Sequence, residues 1–145
     1  MKFKLAVVAL VGIAVAGGAF RAVSAQEKTQ WDGVYTAEQA KRGEMVFGDS
    51  CAVCHGADLG GSDLAPALTG GDFATNWNDM KIGDFFDRVA QTMPLSSPGS
   101  LSAQQYADVV SFILQKSGAP AGTTDLASTK DALSSIKFVA KKPGA

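Results

Sequence analysis

One histidine and two cysteines are all that these 145 residues contain of those two types, and the scarcity closes off several chemistries at once. With His55 as the sole imidazole, no site can rest on a pair of histidines. Two cysteines allow at most one disulfide, and together with His55 they supply only three of the four ligands a structural zinc site takes. A basic excess is missing as well: 13 Lys and Arg face 14 Asp and Glu. Nucleic acid requires a concentrated positive surface, so no nucleic-acid partner is expected. There is no glycine-rich phosphate loop, and the acids Asp58, Asp63, Asp72, Asp79, Asp84 and Asp87 are scattered with no histidine beside them, as a solvated acidic face would be. Alternating β-branched and polar runs are absent too, which leaves helices as the only strongly signalled elements. A composition of 46% hydrophobic and 19% charged residues fits one small all-α domain.

What is present begins with a single long apolar run. Lys2 and Lys4 precede Leu5 to Ala16, and Val23-Ser24-Ala25 supplies small residues for cleavage, so residues 1–25 read as a secretory signal peptide. The alternative is an uncleaved anchor helix, but glycines break the run before it reaches the ~20 apolar residues of a membrane span. Cleavage leaves no stable membrane anchor and places the mature chain in the periplasm. It also removes Lys2, Lys4 and Arg21, leaving ten basic against fourteen acidic side chains, a formal charge of −4.

Both cysteines and the histidine fall within CAVCHG, Cys51 to Gly56. In an oxidising compartment a CxxC pair could be a disulfide or a thiol-disulfide switch. A thioredoxin-like site, however, opens a helix after a strand, and the residues before Cys51 read as helix. C-x-x-C-H is the attachment signal of c-type haem: two thiols about one helical turn apart bond the macrocycle, and the adjacent imidazole binds iron. Cys51, Cys54 and His55 are therefore read as holding one covalent haem c, with His55 as an iron ligand. The other axial position falls to a sulfur. Met45 is too close to Cys51 along the chain to cross to the opposite face, whereas Met80 and Met93 both have the reach. Met93 precedes Pro94, which holds it out of helical geometry at the end of an amphipathic segment; Met45 and Met80 suit simple core filling.

In their order along the chain, CAVCHG, the stretch LAPALTG at Leu64 to Gly70 and TMP at Thr92 to Pro94 resemble the class I mono-haem cytochromes c, over about Trp31 to Leu126. The resemblance implies a cytochrome c-like fold of three main helices around the haem. It points to Met93 as the distal ligand, to the Pro66 carbonyl as acceptor from the other nitrogen of His55, to Leu68 as a haem contact, and to Trp77 as a donor to a haem propionate. It also implies that the first and last helices cross at Gly43 and Phe47, against Val109, Phe112 or Ile113. The domain is read as residues 26–126, and residues 127–145 as a C-terminal tail, either frayed or used for docking.

Local signals place the three helices. Thr36 and Gln39 read as a capping box opening a helix that Gly48 ends. Ile82, Phe85, Phe86 and Val89 line one face of a second helix ending near Thr92. Ser102 and Gln105 form another box ahead of Tyr106, Val109, Val110, Ile113 and Leu114, with Gly118 and Pro120 as stops.

Iron held by His55 and Met93 has no open position for a substrate, so the expectation is a carrier of single electrons and not an enzyme. Further features, including WDGVYTAEQAKRG and a tail that begins GAPAG, resemble bacterial cytochromes found beside quinoprotein dehydrogenases. The resemblance implies a pyrroloquinoline-quinone (PQQ)-dependent alcohol or sugar dehydrogenase as donor and a terminal oxidase downstream. The alternative is a haem-based gas sensor or peroxidase-like protein with a weak distal ligand.

Overall fold

The computed structural model describes residues 27–144; the signal-peptide reading falls on residues outside them. In chain order the elements are β1 (Lys28–Thr29), a 3-10 turn (Gln30–Asp32), α1 (Ala37–Ser50), α2 (Ala52–His55), α3 (Gly70–Trp77), α4 (Ile82–Thr92), α5 (Ala103–Lys116), α6 (Lys130–Leu133) and β2 (Ile136–Lys137). The three expected helices are α1, α4 and α5.

Thr36 caps α1 by accepting the Gln39 N–H at 3.1 Å. The expected capping box is only half made, because the Gln39 side chain is spent elsewhere. Its amide donates to the Leu126 carbonyl at 3.0 Å and accepts the Leu126 N–H at 2.5 Å. Nor does Gly48 end the helix, which continues to Ser50 and turns directly into α2. The box at the start of α5 is complete, Ser102 and Gln105 each bonding the other's backbone.

Glycine at position 43 is what lets α1 and α5 meet. A Cβ there would overlap the Asp108 carbonyl of α5 and lie 3.0 Å from the Phe112 Cβ, so only hydrogen fits. One turn on, the Phe47 and Phe112 rings pack at 5.4 Å between centroids. Along the edge of this contact the Arg42 guanidinium forks onto the buried Asp108 carboxylate, both N–O distances being 3.1 Å. It also reaches Asp125 at 2.8 Å. A carboxylate without that pairing would be costly at such depth.

Residues 127–139 are neither frayed nor projecting, in contrast to the expected tail. Leu126, Leu133, Ile136 and Phe138 are buried with the core. β2 pairs in parallel with β1, Lys28 opposite Ile136 and Thr29 opposite Lys137. The buried Gln30 amide locks this seam, donating to the Val139 carbonyl at 2.6 Å and accepting its N–H at 2.9 Å. Leu133, Ile136 and Phe138 carry no clear period in this polar segment, so the short apolar contact that Ile136, Phe138 and Val139 suggest in the sequence does not by itself show that the segment packs on the core. The short α3 escaped for a related reason: it opens with Gly70 and Gly71, which read as a turn. No helix among the described residues is long and apolar enough to cross a membrane.

Candidate functional site

Because α2 follows α1 after the single residue Cys51, the CAVCH turn is held by helical bonds. Cys51 N–H donates to Phe47 O at 2.8 Å and His55 N–H to Cys51 O at 3.0 Å. The turn stops at Gly56, whose φ of +76° suits glycine. Loop 57–69 then curls back over the end of the turn. Ser62 Oγ donates to the Cys54 carbonyl at 2.5 Å, and Gly61 N–H to the His55 carbonyl at 2.8 Å. These hooks bring Pro66 to the imidazole.

The His55 Nδ1 to Pro66 O distance is 2.8 Å. A carbonyl can only accept, so Nδ1 carries the proton and Nε2 keeps its lone pair free for a metal. The ring is buried, 7% exposed, and faces an apolar cavity of about 860 Å³. Cys51 and Cys54, both unpaired, line the same cavity, as do Pro66, Leu68, Trp77 and Met93. All seven residues singled out from the sequence therefore meet at one place. Burial, and secondly the neighbouring Cys54, push the Cys51 thiol up from its usual range.

Much of the apolar wall comes from Phe47, Phe73, Phe85, Val89, Val109 and Ile113. Of these, Phe85 and Val89 belong to the apolar face read for α4, and Phe47, Val109 and Ile113 to the expected helix contact. Phe73 sits on the unrecognised α3. Trp77 stacks edge-on against Phe85 at 4.6 Å, and its indole N–H has no hydrogen-bond partner among the described residues. Trp31 differs, donating to Val139 O at 2.9 Å.

The methionines depart in part from expectation. Met45 fills no core: it is 60% exposed and away from the cavity, because its position on α1 faces away from α5. Met80 lines the cavity beside Met93 while remaining 42% exposed, so it too is more than core filling. Met93 ends α4, its N–H donating to Val89 O at 2.9 Å, and its carbonyl accepts from the Tyr106 hydroxyl at 2.6 Å.

A CxxCH turn whose histidine is oriented through Nδ1, opening on an apolar cavity inside a small helical domain, defines the class: a mono-haem cytochrome c. The family model described as cytochrome c oxidase, cbb3-type, subunit III matches residues 38–113, and the chain belongs to this cytochrome c family of electron-transfer proteins. Over 80 residues it is 34% identical to the Cbb3-type cytochrome c oxidase subunit CcoP of Rubrivivax gelatinosus, a stretch that takes in 54% of this chain and 26% of that one. Among solved structures it is similar to the sulfane dehydrogenase SoxCD from Paracoccus pantotrophus, with a TM-score of 0.51 and 26% identity over 74% of this chain and 61% of the other. The family implies a covalent haem c, and the residues present fit one: two free thiols and an imidazole with its Nε2 lone pair available border a cavity whose lining is mostly apolar.

Proposed function

We propose that this protein is a periplasmic carrier of single electrons, with one haem c bonded to Cys51 and Cys54, His55 as proximal ligand and Met93 as distal ligand. When bound, the haem supplies a one-electron iron couple, with a potential that a methionine ligand raises relative to a second histidine. The observation that carries the reading is the 2.8 Å bond from His55 Nδ1 to Pro66 O at the wall of the cavity that Met93 also lines. That bond holds the imidazole in one tautomer and one orientation. Phe73, Phe85 and Val89 line the cavity with apolar surface that would keep water from a bound haem. Leu68 would pack on the macrocycle, and the Trp77 indole N–H would serve a propionate. With two protein ligands committed, no position is left for a substrate, in keeping with a carrier and not an enzyme.

The donor we propose is a PQQ-dependent alcohol or sugar dehydrogenase, and the acceptor a terminal oxidase. Likeness to an oxidase subunit supports the acceptor, and likeness to a sulfane dehydrogenase supports a redox enzyme as donor, while the quinone cofactor and the alcohol or sugar substrate rest on the sequence resemblance alone. The cavity mouth is bordered by exposed Val53, Leu64 and Leu95, at 82%, 75% and 77%, and Arg88 is the one charged side chain in its lining. Of the six scattered acids, three are paired with lysines. Asp84 and Asp87 are tied to Lys130, and Asp79 to Lys137.

Mixing the haem-loaded, oxidised protein with a PQQ-dependent alcohol dehydrogenase and ethanol tests the donor. The reading expects reduction of the haem spectrum at a rate nearly independent of salt, as an uncharged contact would give. Failure to reduce, or a rate that collapses between low and physiological ionic strength, would contradict it.

A further inference from the structure

After Thr92 the chain leaves α4 and crosses to the start of α5 as a strap, residues 93–101. The strap is poorly anchored by packing, because residues 95–100 are all exposed. Its internal hydrogen bonds are local: Ser97 N–H to Pro94 O at 2.9 Å, Ser100 N–H to Ser97 O at 3.2 Å, and Gly99 N–H to Met93 O at 3.4 Å. None of these ties the strap to the helices. Beyond the last helical bond of α4, one side chain does so among the described residues. The Tyr106 hydroxyl donates to the Met93 carbonyl at 2.6 Å and accepts the Leu101 N–H at 3.4 Å. Both ends of the strap thus converge on one oxygen. Tyr106 itself is only 3% exposed and stands on the first turn of α5. That turn is fixed in turn by the Ser102–Gln105 capping box.

We infer that Tyr106 is the positioning residue for Met93: its hydroxyl holds the strap so that the thioether stays in the cavity. The inference rests on the reading of Met93 as distal ligand. Withdrawal of the thioether moves the Met93 backbone away from α5, and the Tyr106 bond is lost in the withdrawn state. The bond therefore favours the ligated state by its own net worth. A partly buried neutral hydrogen bond of this kind corresponds to roughly a five- to tenfold bias in the equilibrium.

The test uses the haem-loaded, oxidised protein and cyanide, which competes with the thioether for iron. Three variants are compared with the parent: Met93→Ala, Tyr106→Phe and Tyr35→Phe. The last is a matched control, since Tyr35 is also buried and donates to a backbone carbonyl, that of Ala119 at 2.5 Å, far from the strap. Two signals are read: the sulfur-to-ferric-iron charge-transfer band and the cyanide affinity from a visible titration. The expected result is a band in the parent that disappears in Met93→Ala, a five- to tenfold gain in cyanide affinity in Tyr106→Phe, and no gain in Tyr35→Phe. A parent without the band, or a band that survives in Met93→Ala, overturns both the ligand reading and the role of Tyr106. If the band does depend on Met93, an unchanged affinity in Tyr106→Phe, or an equal gain in Tyr35→Phe, overturns the role of Tyr106 alone.

Discussion

Two glycines five residues apart on α1 should respond to alanine in opposite directions. At Gly48 a Cβ would meet nothing within 4 Å, so Gly48→Ala should gain up to about 1 kcal/mol of helix propensity. The same gain is available at Gly43, but there the new carbon would collide with the Asp108 carbonyl and carbonyl carbon of α5. Those are backbone atoms and cannot rotate away. A carbon normally keeps about 3.3 Å from a carbonyl oxygen, so the two helices must part by on the order of 1 Å. That separation loosens the Phe47–Phe112 contact and stretches the Arg42–Asp108 fork. Overpacking a rigid contact costs about 1–3 kcal/mol, and the disturbed ion pair adds to it, so Gly43→Ala should lose about 2 kcal/mol after the propensity gain is counted. With a urea slope of about 1–3 kcal/mol per molar, the midpoint should fall by about 1 M, while that of Gly48→Ala should rise slightly. Urea titration of the haem-loaded protein, followed by far-UV circular dichroism, measures both. A Gly43→Ala midpoint equal to or above the parent's, at unchanged slope, would refute the close helix contact as the reason for glycine.

Other expectations are as specific. Gln30→Ala removes two buried bonds to Val139, each worth about 1 kcal/mol net; hydrogen exchange should accelerate at the Val139 amide and in residues 136–139, while α5 stays protected. The Lys130 ammonium at 2.9 Å, with the Gln91 amide as a lesser partner, holds the Asp87 carboxyl below its usual range. A depressed carboxyl contributes stability that is present above its unfolded pKa, about 3.9, and disappears as pH falls through the folded value. Asp87→Asn should therefore flatten the stability curve on the acid side of about pH 4 and leave its shape near neutrality unchanged. Carbon monoxide should bind the reduced parent poorly and Met93→Ala readily; ready binding to the parent would favour the sensor or peroxidase alternative.

The parts of the molecule that were legible in the sequence are those where one residue type has one physical use. Cys51, Cys54 and His55 are so scarce that their adjacency carried the cofactor chemistry, and Pro66 followed from resemblance to a family in which the matching carbonyl serves the histidine. Gly43, an expensive residue inside a helix, marked the helix contact, and the expected Phe112 lies there, although the nearest atoms it makes room for belong to the Asp108 backbone. What stayed hidden depends on distant partners. Gln39 looked like half of a capping box but bonds Leu126, eighty-seven residues away. Gln30 gave no local sign of its clasp on Val139. Tyr106 read as one more apolar position on α5, since a helical period records which face is buried and says nothing of where a hydroxyl ends. The two-residue strands β1 and β2 are too short to show a period at all.

The measurement closest to the central claim is the intact mass of protein purified from its native compartment, taken after acid-acetone extraction. The account predicts a coloured species heavier than the polypeptide by one haem, and loss of that added mass when Cys51 and Cys54 are both replaced by alanine. A colourless protein at polypeptide mass, or haem that leaves with the solvent, would contradict it.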